Sequence, residues 1–262
     1  MKSVVTADSS AMEPAGPAVA RASHRVADPK DPPREMSGLA WGAMVCLGLV
    51  GALLLAKTVA ALHLRSIVKG GGDITAAYGT YSVWVSFYGL FVLIAAGVFI
   101  AWFFRAYKNL HRLGVQGVRY GTGWAIGAWF IPIFGMIRPK QIANDVWRGS
   151  ERGIDVSAQW RQIGIPRLLQ WWWGLFLTQG LLVEIGQRMT ASGYNRLVAL
   201  GPVQTGFSRI ESGTFLELIG GLCGLAAVFL AIKVVSRISQ RLDGIREDVL
   251  LSGNTGLQPA LQ

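Results

Sequence analysis

Charge is scarce in this chain: Asp, Glu, Lys and Arg supply 15% of its 262 residues, against roughly 25% in soluble domains. That scarcity excludes an ordinary water-soluble domain. Cysteine is scarcer. Cys46 and Cys223 fall in separate apolar runs at different expected depths, which rules out a disulfide framework and leaves both as small packing residues. The three histidines, His24, His63 and His111, lie in a tail, at a helix end and on a basic face. No zinc-binding H-E-x-x-H, phosphate loop, serine-nucleophile elbow or dinucleotide fingerprint occurs. The expectation is a protein that is not an enzyme and needs neither metal nor cofactor.

What is abundant is apolar sequence. Hydrophobic residues make up 52% of the chain, and its ten tryptophans suit membrane interfaces, where the ring is half buried and its N–H still finds a partner. The composition predicts an all-α integral membrane protein. Four runs are long enough to cross a bilayer at 1.5 Å rise per residue: about 39–64, 83–104, 168–186 and 214–235. The second is uncharged, with Trp84 and Trp102 at its ends. The third is the most polar, carrying Gln170, Thr178, Gln179 and Glu184. Gly70, Gly71, Gly72 and Asp73 predict an external loop reaching to about Tyr81. Residues 1–37 mix prolines with scattered charge and read as a disordered cytoplasmic tail. Residues 38–250 form the membrane domain, and 251–262 a flexible tail. No apolar core follows the early basic residues before Leu39, so no secretory signal is expected.

A fifth apolar run, Trp124 to Ile137, is too short to cross. Its 14 residues cover about 21 Å as a helix, against a hydrocarbon core of about 30 Å. With Pro132 inside it, and Arg119, Arg138 and Lys140 around it, it reads as a re-entrant or interfacial segment. Arg138-Pro139-Lys140 then opens an amphipathic helix, with Pro139 in its first turn. A second amphipathic stretch follows the last crossing, where Ile238, Leu242, Ile245 and Val249 recur on one face, to lie on the membrane or pair with another helix.

Basic residues mark the cytoplasmic side of membrane proteins. Residues 105–167 hold ten Arg or Lys against three acids, whereas 63–82 and 186–213 hold two and three bases. Four crossings place both termini and the basic segment inside. Arg105, Lys108 and Arg112 share one helix face beside Asn109, and with Arg119, Arg138, Lys140 and Arg148 they form a cytoplasmic basic surface suited to anionic lipid headgroups or an acidic partner. Asp145 sits within this set as a candidate internal counter-ion. The basicity is accounted for by the membrane face, so nucleic acid is not an expected partner. Within the bilayer, Lys57, Glu184 and Glu217 fall at similar depths by helix rise, as a structural ion pair, as a lysine snorkelling to the headgroups, or as the polar lining of a transport path. Gly220 and Gly224, extended by Ala227 and Ala231, form a helix-packing stripe, within the monomer or between copies.

Two segments carry a resemblance. WFFRAYKNLHRLG (Trp102 to Gly114) and RYGTGWAIGAWFIPIFGMIRPKQIANDVW (Arg119 to Trp147), with the multi-crossing layout around them, resemble a bacterial family of membrane proteins catalogued as domain of unknown function 4328. The resemblance implies a bacterial, multi-pass protein of the cell membrane and brings no activity or cofactor. The expected role is structural or regulatory, presenting the basic platform to anionic lipids, a protein partner or another copy. The alternative is a small transporter or channel lined by Lys57, Glu184 and Glu217.

Overall fold

The computed structural model describes residues 31–152 and 159–255. The tails expected at either end lie mostly outside that range. Among the described residues every regular element is helical: α1 (Ser37–Gly70), α2 (Ile74–Arg112), α3 (Trp124–Gly127), α4 (Pro132–Gly149), α5 (Arg167–Leu200) and α6 (Gln204–Thr255). Three of these, α1, α2 and α6, are long and apolar enough to cross a membrane. α5 has the length at 34 residues, but Gln170, Gln179 and Glu184 interrupt its apolar run.

The helices are longer than their apolar cores, because their capping signals lie outside the apolar runs. α1 ends where Gly71 takes a left-handed conformation, φ 75°, which glycine adopts without a Cβ penalty. Asp73 then caps α2 by accepting the Ala76 N–H at 3.1 Å. The loop expected to reach Tyr81 is therefore only the turn between Gly70 and Ile74. At the other end of α2, Gly114 at φ 70° stops the helix as its sequence suggests.

α1 packs against both α2 and α6, and α5 packs against α6, giving the row α2, α1, α6, α5. Glycines let α5 and α6 approach closely: a Cβ on Gly193 would lie 2.7 Å from the Gly206 carbonyl, and one on Gly186 would lie 2.7 Å from the Gly213 carbonyl. The Gly220 and Gly224 stripe belongs to the same packing. Gly220 lies against Val183, Gly224 against Leu54 and Gln179, and Ala227 and Ala231 are buried, so the stripe faces inward. Between α2 and α5 an apolar cavity of about 220 Å³ remains, lined by residues including Leu47, Val92, Phe99, Phe176 and Val228.

The end of the bundle next to the Trp124–Ile137 run is closed by aromatic rings. Trp129 lies in the 3-10 turn Ala128–Phe130 and meets Phe99, Phe103, Trp173 and Phe176 with centroids 5.9 to 6.4 Å apart. Its turn is thereby wedged between α2 and α5. Trp102 donates to Ser239 Oγ at 2.9 Å, and Trp173 to the Met136 carbonyl at 3.0 Å. Two sequence expectations, the start of α4 and the loose tail at 31–36, need revision here, and the amphipathic end of α6 takes its helix-pairing alternative. α4 starts at Pro132 rather than Arg138, because Pro132 occupies the first turn, where a missing N–H costs nothing. Pro139 therefore lies inside the helix. The amphipathic end of α6 lies within the chain's own core, where Ile238, Leu242 and Ile245 are buried. Residues 31–36, expected as loose tail, pack on α2 and α6, with Pro33 and Met36 buried.

Candidate functional site

Two clusters of functional side chains stand out. The first is a polar lock in the middle of the bundle, built from one residue of each long helix. Lys57 of α1 pairs with Glu217 of α6 at 2.7 Å. Tyr81 of α2 donates to the other Glu217 oxygen at 2.6 Å, and Thr190 of α5 reaches that oxygen at 3.1 Å while also bonding the Gly186 carbonyl at 2.9 Å. Lys57 and Glu217 are both fully buried. The Tyr88 ring lies 5.7 Å from the ammonium. Each charge thus has a partner, as an ion pair removed from water requires.

Glu184 does not join this lock. The α5 face that meets α6 is Val183, Gly186, Thr190 and Gly193, and Glu184 points away from it to pair with exposed Arg188 at 2.5 Å. Depth along a helix placed it correctly, but rotation about the helix axis did not. Tyr81 and Thr190 escaped sequence reading because one fell in an expected loop and the other past the expected end of a crossing.

The second cluster is the basic end of the bundle, where residues 31–36 and the Trp124–Ile137 run lie, and it divides into three parts. The first part is occupied by the chain itself. Asp31 lies 2.7 Å from Arg112 and 3.6 Å from Lys108, and the Arg112 hydrogen bond holds its carboxyl below the usual carboxylate range. Asn109 reads the backbone of Arg34 twice, accepting its N–H at 3.0 Å and donating to its carbonyl at 2.7 Å. Arg105 donates to the Glu35 carbonyl at 3.4 Å. From α6, Arg246 donates to the Pro33 carbonyl at 3.2 Å and Asp243 accepts the Met36 N–H at 2.7 Å.

The second part turns inward. Asp145 is fully buried, 3.7 Å from Arg119, and burial pushes its carboxyl above the usual range against the pull of Arg119, Arg161 and Arg148. Arg148 donates to the Ile163 carbonyl at 2.7 Å. These residues fasten α4 to the loops on either side of it.

The third part is half-buried beside the exposed apolar side chains of the run, with Arg138 Nη1 enclosed and without a hydrogen-bond partner. The Arg138 guanidinium stacks 3.5 Å from the Trp124 ring centroid, 4.0 Å from Phe134 and 5.2 Å from Tyr120. Lys140 donates to Asn144 at 3.1 Å, and burial lowers its pKa to about 8. Around them Phe130, Ile133, Met136 and Ile137 are exposed. The Tyr120 hydroxyl donates to Gln141, so the residues before and after the Trp124–Ile137 run lie side by side. Among the described residues no group of His, Cys, Asp and Glu is arranged to hold a metal ion.

The sequence profile described as Domain of unknown function (DUF4328) matches residues 72–240. No curated protein and no solved structure matches the chain.

Proposed function

Since the chain belongs to the DUF4328 family, which supplies no activity, we propose from its inner end that it is a non-enzymatic, multi-pass protein of the bacterial plasma membrane that presents a cationic edge to anionic lipids. In this reading α1, α2, α5 and α6 each cross once, both termini are cytoplasmic, and the Trp124–Ile137 run enters the inner leaflet and returns. The observation that carries it is the contact across that run: Tyr120 meets Gln141 and lies under Arg138. A crossing would leave those residues on opposite faces.

The exposed apolar side chains of the run then lie in lipid, and Arg138 and Lys140 lie at headgroup level. Aromatic rings on Arg138 favour the weakly hydrated guanidinium and leave it oriented for phosphate. Each cation at an anionic surface contributes about 1 kcal/mol, so the pair is worth roughly tenfold or more in lipid affinity. The Lys57–Glu217 lock supports a structural rather than a conducting role, because both charges are satisfied by protein and neither lines the apolar cavity between α2 and α5.

The test is lipid retention by the full-length protein in detergent, measured by native mass spectrometry with phosphatidylglycerol and phosphatidylcholine. Arg138→Gln with Lys140→Gln should lower phosphatidylglycerol retention about tenfold and leave phosphatidylcholine unaffected. Equal retention of phosphatidylglycerol by variant and wild type would remove the basis of the reading.

A further inference from the structure

The basic face of α2 is already occupied, and by a segment whose chemistry resembles that of the lipid surface proposed for the protein. Residues 31–36, Asp-Pro-Pro-Arg-Glu-Met, lie across the inner ends of α2 and α6. Most of their contacts are to backbone, from Asn109, Arg105, Arg246 and Asp243. The one acidic side chain set on the basic face, Asp31, sits between Arg112 and Lys108, as a headgroup phosphate would. Two consecutive prolines hold the strand extended and reduce the entropy lost on docking. Met36 anchors the segment at the start of α1 and is fully buried, as is Arg112 but for 4% of its side chain.

We infer that residues 31–36 are an internal ligand that competes with anionic phospholipid headgroups for Arg105, Lys108 and Arg112. This rests on the reading of the inner end as the lipid-facing, cytoplasmic side. Arg105 directly follows the apolar run of α2, and Arg112 lies about 10 Å further along the helix, so all three cations fall within reach of the headgroup layer. With the segment docked, Arg112 is closed off and Lys108 is partly covered. With it displaced, three further cations face the leaflet. An anionic membrane thus draws the segment off, and a neutral one leaves it seated. The contact at Asp31 is the point of exchange because it is the half-exposed carboxylate of the segment that pairs directly with Arg112 and Lys108.

Hydrogen exchange on the full-length protein in nanodiscs tests this directly. The Arg34 and Met36 amides, which donate to Asn109 and Asp243, should be protected in phosphatidylcholine discs. They should exchange at least threefold faster when a third of the lipid is phosphatidylglycerol. Asp31→Asn should raise exchange in neutral discs, and Lys108→Gln with Arg105→Gln should abolish the response to phosphatidylglycerol. Unchanged exchange between the two lipids overturns the inference, as does an equal response to inorganic phosphate alone. If exchange is unchanged while phosphatidylglycerol is still retained through Arg138 and Lys140, competition fails and the platform stands. Loss of that retention as well removes the platform itself.

Discussion

Glu217→Leu is the most informative single perturbation of the bundle. It leaves the Lys57 ammonium fully buried with the Tyr88 ring, 5.7 Å away, as its nearest favourable electrostatic contact. Breaking one side of a buried ion pair costs about 3–5 kcal/mol. The Tyr81 hydroxyl also loses its acceptor, for about 1–3 kcal/mol more, while Thr190 keeps its bond to Gly186. Lys57→Met is milder, because Glu217 retains Tyr81 and Thr190 as donors. The double variant removes both desolvation penalties and should return to within about 2 kcal/mol of wild type. The double-mutant cycle should therefore show a coupling of about 3 kcal/mol. Reversible unfolding in mixed micelles measures it, with thermal midpoints falling by roughly 10 °C for Glu217→Leu and recovering in the double variant. Additive single effects, or a loss below about 1 kcal/mol for Glu217→Leu, would refute the assignment of these residues as a mutually dependent lock.

Three further outcomes are expected. Gly186→Ala must push apart α5 and α6, since its Cβ would meet the Gly213 carbonyl at 2.7 Å, and should cost about 1–3 kcal/mol; Gly97→Ala, with nothing within 4 Å, should be neutral or stabilising by about 0.5–1 kcal/mol. In a background with Cys46 and Cys223 replaced by alanine, cysteines at exposed Gly121 and Arg152 should label from the same side of sealed vesicles. Labelling from opposite sides would convert the Trp124–Ile137 run into a crossing. Burial raises the Asp145 carboxyl, so the native state keeps a proton that the unfolded chain releases. The stability this group contributes is full in acid and declines as pH rises from the ordinary carboxylate range through the raised native value. Asp145→Asn should flatten that slope, read as denaturation midpoints at pH 4 and pH 7.

Much of this molecule follows from local rules that sequence alone applies. The scarcity of charge and the length of the apolar runs predict helices able to cross a membrane, since only helices satisfy every backbone group within a single segment in lipid, and three such helices are present among the described residues. Gly71, Asp73 and Gly114 mark helix ends through their own conformational preferences. Fourteen apolar residues around Pro132 fall short of a hydrocarbon core of about 30 Å, which is why the sequence predicts a re-entrant or interfacial segment there. The positions of Lys57 and Glu217 within apolar runs also mark them as costly and in need of partners.

Which partners they take is a question of rotation and of distance along the chain. Glu184 has the right depth but lies off the α5 face defined by Val183, Gly186 and Thr190, and Tyr81 enters the lock only because α2 begins as early as Ile74. The same holds at the inner end. Sequence groups nine residues as one basic surface, with Asp145 as a candidate counter-ion. Tertiary structure divides them, because Asn109 and Arg112 meet a segment some 75 to 81 positions away in sequence, and Asp145 is enclosed with Arg119. Charge and hydropathy are properties of each residue and can be read in order. Pairing depends on which faces the packed helices turn toward one another, and only the assembled bundle decides that.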